Sequence, residues 1–86
     1  MKTTTALPTQ TSDYLAMVRR IIRAAGRRVG NADPEDLAEL IALQHDLDKA
    51  IREAVHAQRL SGITWQSIGD ATGTTRQAAI MKWAEQ

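Results

Sequence analysis

Near the C-terminal end of the chain, Thr75, Arg76 and Gln77 stand together, with Ile80 and Met81 one helical turn further on and Lys82 after them. These side chains have the chemistry that reads base edges. A guanidinium can bridge guanine O6 and N7, and a carboxamide can bridge adenine N6 and N7. Ile80 or Met81 offers an apolar surface for a thymine methyl. Ten residues upstream, Thr64 and Gln66 are placed to bond a phosphate, helped by the amide donors of a helix start. These positions form the candidate DNA-binding set.

The stretch that must position them is Thr64 to Trp83, and its spacing predicts a helix-turn-helix. A short helix is expected from about Trp65 to Ala71 and a second from about Thr75 onward. Gly73 sits at the corner, where a sharp turn needs positive φ. Gly69 leaves room for the second helix to cross, Ile68 supplies the buried contact, and Ala79 and Trp83 share one face one turn apart. Thr64 caps the first helix, with Ile63 and Ile68 at hydrophobic-staple spacing. Thr74 or Thr75 caps the second. With Thr74 as cap, Gln77 completes a capping box; with Thr75, Gln77 is free to reach a base. The plain alternative is an αα-hairpin used only for packing, but Thr-Thr-Arg-Gln is polar where such a hairpin would be apolar.

Thr64-Trp65, Ile68-Gly69, Gly73 and Thr75-Arg76-Gln77-Ala78-Ala79 resemble the helix-turn-helix of small actinobacterial and actinophage DNA-binding proteins, a variety akin to sigma-factor region 4. The resemblance covers residues 62–85 and implies an all-α fold that binds double-stranded DNA. Thr72, Thr74 and Lys82 stand where such motifs usually carry aliphatic residues.

Upstream, residues 1–11 are Thr-rich and aperiodic and are expected to be a disordered tail. Residues 12–86 are expected to form a single helical domain. Its first helix spans 12–30, with Ser12 as cap and Gly30-Asn31 as stop. Its apolar residues, from Tyr14 to Val29, fill an arc of about 120°. Arg19, Arg20, Arg23 and Arg27 lie roughly opposite, and the segment carries a net +4, five Arg against one Asp. A second helix, about 34–61, starts at Asp33-Pro34 and stops at Gly62. Its apolar seam runs through Leu37, Leu40, Ile41, Gln44, Leu47, Ile51, Ala54, Val55 and Gln58, alternating three and four apart. Glu35, Glu39, Asp46 and Glu53 form an acidic ridge opposite. Asp48 and Arg52 have ion-pair spacing.

The seam is about 40 Å long, more than so small a chain is expected to cover. A homodimer through Leu40, Leu47, Ile51 and Val55 follows as an expectation, with recognition helices about 34 Å apart on an inverted repeat. No wing or C-terminal dimerisation segment is expected after the last helix. The alternative is an antiparallel pair of the two long helices within one chain. The C-terminal stretch 61–86 has no net charge, so the Arg face of the first helix is a second source of phosphate contacts. Solvation, or pairing with the acidic ridge, competes for that face.

Enzymatic chemistry is not expected. The two histidines, His45 and His56, fall about 16 Å apart on one helix and share no metal. The chain has no cysteine, which excludes disulfides and suits a reducing cytoplasm. No apolar run spans a membrane, and no cofactor motif appears. The reading is a sequence-specific DNA-binding regulator of transcription, more naturally a repressor, acting as a homodimer. Two alternatives stand beside it: a small phage or plasmid protein controlling recombination, partition or replication, and an interaction module that docks on RNA polymerase or another host factor.

Overall fold

The computed structural model describes residues 10–84. It is all-α, with four helices among those residues: α1 (Thr11–Gly30), α2 (Pro34–Leu60), α3 (Trp65–Thr72) and α4 (Arg76–Trp83). Residues 1–9 of the expected tail, and residues 85 and 86, lie outside the described residues.

Helix α1 begins earlier than Ser12. Its N-cap is Gln10, whose carbonyl accepts from Asp13 N (3.1 Å) and Tyr14 N (3.2 Å), and no side chain caps it. Ser12 and Thr11 are therefore helical residues, and Asp13 places its charge against the positive end of the helix dipole. At the other end Asn31 closes the helix by donating its backbone N–H to Arg28 O (3.1 Å) and its side-chain amide to Arg27 O (3.3 Å).

Helix α2 starts and stops where its residue types require. Asp33 Oδ1 accepts from Asp36 N at 3.0 Å, and Pro34 takes the first helical position, where its missing N–H leaves nothing unpaired. Gly62 then adopts φ of 100°, and Ile63 N donates back to Gln58 O at 3.0 Å. A left-handed residue followed by such a long-reaching bond satisfies the last carbonyls of a helix.

The chain divides into two compact units, Met1–Ala42 and Leu43–Gln86, with the boundary inside α2. The buried residues explain the division. Val55 (8% exposed), Ile68 (4%) and Ala79 (0%) make up the buried core, all in the second unit, with Trp65 and Trp83 packed against them. Among the described residues of the first unit none is buried. Of the residues expected to form a dimer seam, Leu47 and Ile51 are exposed and Leu40 is half-buried. Val55 is buried in the core with Ile68 of α3 and Ala79 of α4. Among the described residues no helix is long and apolar enough to cross a membrane.

Candidate nucleic-acid interface

Two threonines and two glycines set the geometry of the C-terminal unit. Thr64 precedes α3 in an extended conformation, and its Oγ1 accepts from Ser67 N at 3.0 Å. Thr75 does the same for α4, accepting from Ala78 N at 3.0 Å. The choice of cap is thus resolved in favour of Thr75. The capping box from Thr74 does not form, because Thr74 Oγ1 turns to the Thr75 carbonyl (3.2 Å). Gly73 closes α3 at φ of 75°, and Thr74 N donates to Gly69 O at 2.8 Å.

Gly69 is the point of closest approach. A Cβ there would lie 3.0 Å from Thr74 O, Thr75 C and Thr75 O, all backbone. The start of α4 rests directly on the α3 backbone, and the cap that defines it depends on that approach. The hydroxyls at Thr72 and Thr74 both turn to backbone carbonyls around the corner. Thr72 Oγ1 donates to Ile68 O at 2.8 Å and lies 3.4 Å from Thr74 Oγ1.

With Ala79 and Trp83 turned inward, the opposite arc of α4 carries Gln77 and Met81, while Arg76 stands on the first turn beside the inward arc and Ile80 at its flank. Arg76 and Gln77 are exposed and make no side-chain hydrogen bond or ion pair among the described residues. Met81 is 82% exposed, and Ile80 is half-buried. Lys82 projects on a different arc, where its Nζ stands 5.3 Å from the Trp83 ring centroid.

The two α3 positions are more engaged. Beyond its capping bond, the Thr64 hydroxyl donates to Ser67 Oγ at 3.2 Å. Gln66 Nε2 donates to Asp70 Oδ1 at 2.9 Å, which engages its amide within α3. The Arg face of α1 is open. Among the described residues the ion pair present is Arg52 Nε with Asp48 Oδ2, 3.1 Å, as its spacing predicts, and Arg19, Arg20, Arg23 and Arg27 have no acidic partner.

Two positioning residues escaped the sequence reading. Arg52 also donates Nη1 to Lys82 O at 3.2 Å, which ties the C-terminal end of α4 to α2. Arg59 Nη1 donates to Ile63 O at 3.0 Å, and its guanidinium lies 5.1 Å from the Trp65 ring centroid. Together they hold both ends of the helix-turn-helix against one helix. The available signal was their seven-residue spacing astride Val55, which puts both on the side of α2 that meets the core. Among the described residues no cluster of three or more His, Cys, Asp or Glu could hold a metal ion.

Comparison with known proteins adds no relative: no family model matches the chain, and neither the curated proteins nor the solved structures contain a match.

Proposed function

We propose that the C-terminal unit binds double-stranded DNA with sequence specificity and that the protein regulates transcription, as a repressor. The observation that carries this reading is the first turn of α4. Arg76 and Gln77 stand there exposed and unengaged, while Ala79 and Trp83 anchor the helix to the core. A rigid helix with free bidentate donors at its N-terminal end suits the major groove, where such residues meet base edges. Met81 and the exposed part of Ile80 supply apolar contact one turn on. Occupying an operator suffices for repression and needs no activity besides binding.

The electrostatics shape the expected affinity. Arg76 and Lys82 are balanced by Asp70 and Glu85 over residues 61–86. Phosphate neutralisation drives most DNA affinity, so one such unit binds weakly and further cations must contribute. The unpaired Arg face of α1 is one source, and a second copy of the unit is another.

Selection of bound sites from random duplex DNA tests the proposal, followed by mobility shifts with Arg76→Ala. A recurring motif should emerge. The variant should lose discrimination at one base pair by about 1–3 kcal/mol, while its affinity for unrelated DNA changes little. Equal affinity for all sequences, with no enriched motif, would defeat the reading and favour an interaction module.

A further inference from the structure

The first unit has amphipathic helices and no core. Tyr14, Leu15, Ile21, Ile22, Leu37 and Ile41 are each 48–59% exposed. On α1 these residues share one arc with the half-buried Val18, Ala25 and Val29, and the arginines occupy the other. Most of a helix's stability in a protein comes from packing of its amphipathic face. We infer that residues 11–42 are the dimerisation unit, in which the α1 and α2 segments of one copy dock on the same segments of a second copy to give a four-helix arrangement.

Three observations favour a second copy over any other occupant. The first is area. The six exposed side chains offer on the order of 650 Å² of apolar surface, close to the ~800 Å² that each partner contributes to a standard-size interface. The second is charge. Residues 11–42 hold five Arg and five Asp or Glu, so two copies meet without net repulsion, whereas an anionic membrane gains little from a neutral unit. The signs are also segregated. Arg19 and Arg28 border the apolar arc of α1, and Asp36 borders that of α2, so a two-fold arrangement that sets α1 beside the partner's α2 brings opposite charges to its rim. The third is shape. At the corner between α1 and α2 an open apolar groove of about 360 Å³ is lined by Val29, Pro34, Leu37 and Leu40 among others, and an aliphatic side chain of the partner can enter it. The second unit keeps its own core, so dimerisation and whatever the C-terminal unit binds are separable.

The test uses the full chain without DNA, so its outcome is independent of the DNA-binding reading. Sedimentation velocity should show a dimer. Ile21→Glu and Ile41→Glu should each raise the dissociation constant by about 100-fold or more, because each buries an unpaired carboxylate. Fluorescence of Trp65 and Trp83 should stay unchanged, since both lie in the other unit's core. The cysteine-free chain allows a second measurement. Ile22→Cys should form a disulfide-linked dimer under mild oxidant, and Arg23→Cys, on the opposite arc, should not. A wild-type chain that stays monomeric at tens of micromolar would overturn the inference, as would equal cross-linking at the two positions. Flotation of a monomeric chain with phosphatidylserine vesicles, abolished by Ile21→Glu, would assign the face to lipid instead.

Discussion

Gly69→Ala isolates the contact on which the helix-turn-helix depends. In an ordinary helix the change stabilises by about 0.5–1 kcal/mol, because alanine loses less backbone freedom than glycine. Here the new methyl would stand 3.0 Å from three backbone atoms of Thr74 and Thr75. Those atoms cannot yield freely. Thr74 N is bonded to Gly69 O at 2.8 Å, and Thr75 holds the cap on Ala78 N at 3.0 Å. Overpacking of this kind costs about 1–3 kcal/mol, and loosening the cap adds a share of its usual ~1 kcal/mol. The net expectation is a loss of about 1–2 kcal/mol. For a chain of this size each kcal/mol moves the melting temperature by roughly 4–8 °C. Thermal melts followed by tryptophan fluorescence read the effect directly, because both tryptophans pack on this core. The control is Gly26→Ala, where nothing lies within 4 Å of the added methyl. That change should stabilise α1 by about 0.5–1 kcal/mol, read by far-ultraviolet circular dichroism. A Gly69→Ala protein that melts at or above the wild-type temperature would refute the close-approach argument.

Other outcomes follow from the same contacts. Thr75→Ala should destabilise by about 0.5–2 kcal/mol through loss of the α4 cap, and Thr75→Ser should restore most of that in urea titrations. Gln77→Ala should leave the melting midpoint within about 0.5 kcal/mol of wild type yet change base preference in site selection; a large stability loss with unchanged preference would contradict the observed cap. Arg52→Met should destabilise by about 0.5–1.5 kcal/mol, chiefly through the hydrogen bond to Lys82 O, because the Asp48 pair is half-exposed and screened. Asp48→Asn should therefore cost less than Arg52→Met, and high salt should remove little of the Arg52 effect.

Much of this protein is written in local chemistry that needs no partner element to act. Asp33-Pro34 starts α2 and Gly62 stops it, because one fixes the first turn and the other tolerates φ of 100°. Thr64, Ile68, Gly69 and Gly73 mark out the helix-turn-helix through capping, burial, close approach and positive φ in turn. The outward placement of Gln77 and Met81 follows from Ala79 and Trp83 facing inward, a matter of helical period. The choice between Thr74 and Thr75 was another kind of question. Both are adequate caps by residue type, and only the approach of Gly69 to the Thr74 and Thr75 backbone decided which one ends the turn. The fate of Val55 was also tertiary. Its seam position is indistinguishable by period from Leu47 or Ile51, but α3 and α4 pack against the C-terminal end of α2, so Val55 is buried while the others stay exposed. Arg52 and Arg59 read as ordinary helix-surface cations until the folded chain brings the Lys82 and Ile63 carbonyls within reach. Periodicity specifies which face of a helix is apolar. Which length of that face is covered, and by what, depends on where the rest of the chain folds.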